Sequence, residues 1–250
     1  HLYFQIQIHL TLKMDQNNSV LHQYFFLILH PHHLLLVLDQ LFDLLESETW
    51  SLYNSLYYFI KTLTMNSRAK TIIDFWFMKT PSDKRFKKDE AFDLEIKNNF
   101  MGDHNLAKSG EYEDWLNTPK ECLALIILLD QFSRNLFRDK KEAFDQDHKA
   151  RLAVNQGIYL GHLQALNETE RLFFLLPLIH SEELIDHERA YALSDKYLKN
   201  HPDIKNIKKF WVDHTRAIEK FRRYPHRNKI LGRQSTDEEI EFLSGPNSSW

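Results

Sequence analysis

One predicted helix carries a dense group of polar side chains directly after the strongly apolar run Ala124–Leu129. The group contains two arginines, an acid and two amides: Asp130, Gln131, Arg134, Asn135 and Arg138. Side chains four residues apart lie on one side of a helix, as Asp130 and Arg134, Gln131 and Asn135, and Arg134 and Arg138 do here. In a structural network, Asp130 would hold Arg134 while the two amides bind loop backbone. Arginine presents a planar fork of N–H groups that matches a carboxylate or a phosphate. The pattern indicates either an anion site or a network of paired side chains that fixes how helices meet.

Two further clusters mix polar and apolar residues at the same density, Pro177–Glu183 and Arg223–Asn228. His180 with Glu182 has the composition of a general acid/base pair, because histidine titrates near neutrality. The alternative is a histidine that is hydrogen-bonded between helices. The second cluster contributes His226, Arg227 and Asn228 as candidate ligand-binding residues.

Neither a metal site nor a cofactor is predicted. His180 and His187 are seven residues apart, so on one helix they would lie roughly 10 Å from each other and could not bind one ion. A metal would need His214 or His226 from elsewhere in the chain. The glycine count is 6, and the sequence contains no glycine-rich phosphate loop. Cys122 is the single cysteine, which excludes an internal disulfide and is typical of a small core residue.

Composition and charge favour a soluble domain without a nucleic-acid partner. The chain has 250 residues, 43% of them hydrophobic, and a formal net charge of −3. Lys199–Arg233 holds eleven Lys or Arg against three acids, whereas Asp139–Asp195 holds eleven acids against six Lys or Arg. Two such segments can neutralise each other in a compact domain, so the basic stretch alone does not predict binding to RNA or DNA.

The first 64 residues differ in composition from the rest and contain no Gly, Ala or Arg. They resemble translated AT-rich sequence upstream of a start codon, so we expect the working protein to begin at Met65, with residues 65–250 as its domain. The apolar run Tyr24–Leu38 is interrupted by His30 and Pro31, and it falls short of the roughly 20 apolar residues that a spanning helix needs. No membrane segment is predicted for residues 65–250, and the expected location is cytoplasmic.

After Met65 the sequence predicts helix after helix. Thr118 and Pro119 begin the helix that carries the polar run, with Glu121 as capping-box partner. Asn167 and Glu170 repeat this start signal, Gly110 and Gly161 are expected stops, and Pro177 is expected to kink or break its helix. Regular alternation of apolar residues is absent from this part of the sequence. Short connections favour antiparallel neighbours, so the predicted fold is an all-α single domain of seven to eight helices.

These residues also resemble a known family. Ile73–Phe77, Leu128–Arg138, Pro177–Glu182 and Tyr224–Arg233 are similar, in this order, to the bacterial domain-of-unknown-function family 924. The resemblance runs from about Ala69 to Trp250 and implies a tetratricopeptide-like fold of helical hairpins, but no reaction. Two positions depart from the family: Met78-Lys79 stands where glycine is usual, and His187 stands where glutamine is expected.

The sequence thus predicts a helical binding or scaffold domain with a pocket for a small anionic ligand or an acidic peptide. Its lining is predicted as Asp130, Gln131, Arg134, Asn135, His180, Glu182, His226, Arg227 and Asn228. The rival hypothesis is a hydrolase- or transferase-type enzyme, with His180 as base and Glu182 orienting it. A third is a structural adaptor in which all three clusters are paired with each other. Ligand and oligomeric state are not readable from these residues.

Overall fold

The computed structural model describes residues 4–14, 19–29 and 65–248. The chain divides into two compact units, His1–Met65 and Asn66–Trp250. In the first, strands β1 (Phe4–Met14) and β2 (Ser19–Leu29) pair antiparallel with Phe4 opposite Leu29, a hairpin that the sequence analysis did not anticipate. Residues 30–64 lie outside the described ranges, and with them most of the apolar run Tyr24–Leu38. The start at Met65 stays a prediction.

Residues 65–248 confirm the all-α domain. Their helices are α1 (Ser67–Ile73), α2 (Glu90–Ser109), α3 (Pro119–Ile127), α4 (Asp147–Tyr159), α5 (Glu168–Ile179), α6 (Leu184–Tyr197), α7 (Ile204–Phe221) and α8 (Asp237–Ser244). Short 3-10 turns lie in several connections, including Lys141–Ala143 and Pro225–Arg227. Among the described residues, none of the helices combines the length and the apolar character needed to cross a membrane.

Two helices continue past their α-helical part as π-helix. α1 runs on through Asp74–Lys79, and α3 runs on through Leu128–Phe132 into a last α-helical turn, Ser133–Leu136. A π turn has more residues per turn than an α-helix, so it changes which side chains share a face, and such turns are frequent at functional sites. The second π segment contains Asp130 and Gln131, the first polar residues of the run.

Helix α3 is the centre of the core, because Cys122–Leu129 is apolar at every position and buried throughout. It packs against α1, α4 and α5. At its π-helical end, Phe132 contacts the rings of Phe75 and Trp76 from α1, and Trp76 also contacts Phe173 of α5. Asp130 is therefore attached to the most tightly surrounded helix of the domain.

Most predicted helix ends are confirmed. Asn167 and Glu170 form the expected capping box, Pro119 is the first residue of α3, and Gly110 and Gly161 adopt positive φ angles of 93° and 77°. Two local predictions differ from the structure. Pro177 does not break its helix, because it lies inside α5, which continues to Ile179.

Glu121 does not complete a capping box. Its carboxylate accepts the backbone N–H of Asn66 at 2.6 Å and the Thr118 hydroxyl at 2.9 Å. The contact with Asn66 spans 55 residues of sequence, so local spacing could not reveal it.

Candidate functional site

Asp130 and His180 form a direct hydrogen-bonded pair. Asp130 lies on the π segment after α3 and is fully buried, and His180 follows the last residue of α5. The His180 Nδ1–H donates to Asp130 Oδ1 over 2.6 Å, and Gln131 Nε2 donates to Asp130 Oδ2 over 2.5 Å. Burial alone would raise the pKa of Asp130, but His180 and Arg134 favour its charged form and the pKa falls to about 2. An ionised carboxylate thus fixes the orientation of the imidazole through Nδ1.

Arg134 lies between two carboxylates. Its Nη2 is 3.5 Å from Asp130 Oδ1, which confirms the predicted pair four residues apart, and 2.7 Å from Asp147 Oδ1 at the start of α4. Its Nη1 donates to the backbone carbonyl of Ala143. Arg227 reaches the other oxygen of Asp147 with Nη1 at 3.2 Å. One carboxylate therefore joins arginines that are 93 residues apart in sequence.

The same two arginines share an aromatic neighbour. Phe144 has the guanidinium carbon of Arg134 at 4.7 Å from its ring centroid and that of Arg227 at 4.6 Å. Arg227 also lies over Tyr224 at 4.5 Å. Stacking on the rings fixes the planes of both guanidinium groups.

Glu182 has a different partner from the one predicted. Its two carboxylate oxygens accept from Arg233 at 2.7 and 2.9 Å, and one of them also accepts the Tyr224 backbone N–H at 2.8 Å. Burial alone would raise the pKa of Glu182, but these hydrogen bonds keep the pKa below its ordinary value. The expected orientation of His180 by Glu182 is therefore wrong. Asp130 orients that imidazole, while Glu182 anchors the segment after α7.

Further histidines surround Tyr224. The ring of His226 lies 5.4 Å from the Tyr224 ring, and that of His214 lies 5.9 Å from Tyr224 and 6.5 Å from His180. Burial lowers the pKa of His214 to about 2 and that of His226 to about 3, with nearby Arg227 and Arg134 adding to the effect on His226. Burial also lowers the pKa of His187. These three imidazoles are neutral near pH 7.

Residues from all three sequence clusters thus lie together around Tyr224 and Phe144. We call this group the polar cluster: Asp130, Arg134, Asp147, His180, Glu182, His226, Arg227 and Arg233. Its side chains at His180, Arg134, Glu182 and Arg233 are partly exposed, between 16% and 29%. Solvent therefore reaches one edge of the cluster.

Three predicted residues are not part of the polar cluster: Gln131 contacts it through Asp130, whereas the side chains of Asn135 and Asn228 bind other residues. Asn135 donates to Asp93 Oδ1 at 2.8 Å, and Arg138 holds the same carboxylate at 2.6 and 2.7 Å. Asn228 donates to Ser235 and Glu239 at 3.1 Å each. The expectation that Asn135 and Asn228 line one site with Arg134 is not met, because the polar run of α3 has one side toward α5 and another toward Asp93 of α2.

Several members of the polar cluster escaped prediction. Asp147 is an ordinary acid in the first turn of α4, and Phe144, which stacks on the cluster without belonging to it, is an ordinary aromatic residue just before α4. Arg233 lies in the stretch Tyr224–Arg233, but its residue type alone did not single it out. One sequence signal did bear on Asp147. The segment Asp139–Asp195 contains more acids than Lys and Arg, so some of its carboxylates need positive partners elsewhere in the chain.

Two buried donors of the polar cluster have no acceptor. Within the described residues, the buried Nε–H groups of Arg227 and Arg233 have no hydrogen-bond partner. A guanidinium has five N–H donors, and a buried donor without an acceptor costs free energy. Across residues 65–248, we find no group of three or more His, Cys, Asp or Glu side chains arranged to hold a metal ion.

Two surface cavities lie away from the cluster. One of about 260 Å³ is lined by Asp195, Lys199, Ile204, Lys205 and Lys208. The other, of about 60 Å³, lies between the end of α1 and α2, against Phe75, Thr80 and Phe92. Neither contains a residue of the polar cluster.

The helical domain is similar to a known protein family and to a solved structure. The sequence model described as "Bacterial protein of unknown function (DUF924)" matches residues 72–247. The chain is also similar to a solved structure, the protein of unknown function ATU0120 from Agrobacterium tumefaciens. The two are 38% identical with a TM-score of 0.63, over 71% of this chain and 97% of the other. No curated protein matches the chain.

Proposed function

Because the chain belongs to the bacterial family of unknown function DUF924, whose description names no reaction, we propose a function from the polar cluster itself. The helical domain binds a small anion, or the carboxylate of an acidic peptide, at the exposed edge of the cluster. The observation that carries the proposal is the pair of buried Nε–H groups on Arg227 and Arg233 without an acceptor. An anion oxygen would supply the missing hydrogen-bond acceptor, since guanidinium groups bind carboxylate and phosphate through such donors.

The rest of the geometry supports rigid presentation of these donors. Asp147 and Phe144 hold Arg134 and Arg227, and Glu182 holds Arg233. A donor that is already oriented loses little conformational entropy when a ligand binds. A cytoplasmic location remains part of the proposal.

We expect Arg134→Ala to weaken binding of sulfate and of succinate at least tenfold while helicity by circular dichroism stays intact. The substitution removes one of the three guanidinium charges of the polar cluster and leaves its three carboxylates in excess, which disfavours a bound anion. Isothermal titration calorimetry with each anion measures the effect, and a peptide ending in two glutamates separates a peptide end from a free anion.

Arg138→Ala is the matched control. Arg138 lies one turn further along the same polar run and is held as firmly, but by Asp93 outside the cluster. Equal affinity in wild type and Arg134→Ala, or loss of helicity in Arg134→Ala, would show that Arg134 serves the fold alone.

One observation favours a second candidate, a hydrolase- or transferase-type enzyme. His180 is oriented through Nδ1 by a buried, ionised carboxylate, which is how a general base is held with its Nε2 directed at substrate. The candidate predicts release of p-nitrophenol from p-nitrophenyl phosphate or p-nitrophenyl acetate, and loss of that rate in His180→Gln. Equal rates in wild type and variant would eliminate it.

A further inference from the structure

A surface cavity at the junction of α6 and α7 collects positive charge away from the polar cluster. The cavity has a volume of about 260 Å³, and Lys199, Lys205 and Lys208 line it together with Asp195. We call it the lysine cavity. Lys208 Nζ donates to Asp195 Oδ1 over 2.5 Å, so the carboxylate of the lining is already paired with one lysine. Three ammonium groups against one carboxylate give the lining a formal net charge of +2.

The surrounding acids do not neutralise this charge. Within residues 65–248, Lys199 and Lys205 form no ion pair. Asp203 directly precedes α7, but its carboxylate accepts from the side-chain amide of Asn206 at 2.5 Å. Like charges around one concavity repel each other, and a cleft lined by one sign of charge raises the local concentration of its counter-ions. The described part of the chain thus leaves two ammonium groups of the cavity to a counter-ion from outside.

The chemistry of the lining favours a compact phosphate group over a planar carboxylate or a nucleobase. Among the five described residues of the lining, none is an arginine and none is aromatic, and Ile204 is the apolar one. Lysine binds phosphate as a compact point charge, whereas arginine supplies the planar fork for bidentate pairing. The volume lies just below the roughly 300–1,000 Å³ of pockets for drug-sized ligands, which favours a small occupant. A net charge of +2 is matched by an anion with at least two negative charges, as linked phosphates have.

We infer that the lysine cavity binds a diphosphate group, with Lys199 and Lys205 as its main donors and Lys208 as a third. Free pyrophosphate and the diphosphate of a nucleotide share this chemistry. Asp195 opposes the bound anion and keeps its affinity low. The inference goes beyond the proposed function, because the lysine cavity contains no residue of the polar cluster.

Calorimetric titration of the full chain with pyrophosphate, in buffer of about 0.15 M salt, tests the inference. We expect Lys199→Gln/Lys205→Gln to lower the affinity about tenfold or more, because each ammonium group loses charge-assisted hydrogen bonds. Both positions are exposed, so helicity by circular dichroism should be unchanged. A parallel titration with ADP distinguishes the two sources, since the probe that binds more tightly is the one the cavity accepts.

Asp195→Asn should have the opposite effect and raise the affinity for pyrophosphate several-fold. The substitution removes the negative charge beside Lys208 and leaves all three ammonium groups to the anion. The side chains of the pair are 44% and 67% exposed, so stability should hardly change. A gain in affinity cannot arise from partial unfolding, which makes this variant independent of the first.

Arg216→Gln/Lys220→Gln is the matched control, because it removes the same charge from the exposed face of the same helix. These residues are 11 and 15 positions beyond Lys205, roughly 16 and 22 Å along α7. Both distances exceed the Debye length of about 8 Å in physiological salt, so the affinity should stay within about twofold of wild type.

Three results would overturn the inference. The first is an equal loss of affinity in the two double variants, which would indicate a diffuse attraction of polyanions to α7. The second is binding that is lost in Arg134→Ala but kept in Lys199→Gln/Lys205→Gln, which would assign the anion to the polar cluster and support the proposed function alone. The third is undetectable binding of both pyrophosphate and ADP to the wild type, which would leave sulfate binding at the polar cluster as a separate question.

Discussion

An Asp130→Ala variant is expected to lose about 3 kcal/mol of the free energy of unfolding. The substitution removes a fully buried carboxylate and leaves His180 without its acceptor at 2.6 Å. Arg134 keeps its ion pair with Asp147 in this variant. The expected loss of stability is therefore near the lower end of the roughly 3–5 kcal/mol that breaking a buried ion pair costs. Denaturation by urea, followed by circular dichroism, measures the change at pH 7.

An exposed ion pair provides the control. Asp83 pairs with Lys87 at 2.7 Å, but both side chains are 67% exposed, so Asp83→Ala should leave stability nearly unchanged. A loss in Asp130→Ala no larger than that in Asp83→Ala would mean that water replaces the carboxylate and that the pair does not hold the cluster together.

Gly157→Ala is expected to destabilise the domain by about 1–2 kcal/mol, although alanine favours a helix. Gly157 lies on α4, where an added Cβ would overlap the buried ring of Phe174 and come within 3.2 Å of Cys122 Sγ. Alanine gains about 1 kcal/mol in helix propensity, but overpacking of a core costs about 1–3 kcal/mol. The two opposed terms should leave a net loss in chemical denaturation.

Gly102 in the middle of α2 provides the matched comparison. An added Cβ there meets no atom within 4 Å, so Gly102→Ala should raise stability by about 0.5–1 kcal/mol. If both variants stabilise the protein to the same extent, α3, α4 and α5 are packed more loosely than their side-chain positions indicate.

Local rules predicted the helices well because their signals are local. The capping box of Asn167 and Glu170 needs residues three apart, and Gly110 ends α2 by its own positive φ. No break occurs at Pro177 because tertiary burial outweighs the local penalty. Leu178 and Ile179 are both fully buried after it, and burying two such side chains offsets the roughly 3 kcal/mol that proline costs in a helix.

The π segment after α3 was not predictable from spacing. Counting four residues per turn paired Asp130 with Arg134 correctly, but it also placed Asn135 in the same site. The added width of the π turn and the position of Asp93 on α2 decide that Asn135 faces elsewhere. The contacts between side chains depend on how the helices pack, whereas the helices themselves can be predicted from the local sequence.

Residue types alone identified His180, Glu182 and Arg227 as members of a site, yet not their partners. Arg227 pairs with Asp147, which is 80 residues away in the sequence. His180 pairs with Asp130, 50 residues away, and not with Glu182 as expected. No local pattern encodes such distances. The tetratricopeptide-like character and the ligand remain predictions, while family membership and the all-α fold are established.

The central claim is that Arg227 and Arg233 keep buried Nε–H donors for an anion. Titration with sulfate, followed by the ¹⁵N–¹H signals of the arginine Nε groups, tests it most directly. The signals of Arg227 and Arg233 should move in a saturable way, while those of Arg68 and Arg138, each bonded through Nε to a carboxylate, stay in place. Uniform small shifts of all four, without saturation, would contradict an anion site in the polar cluster.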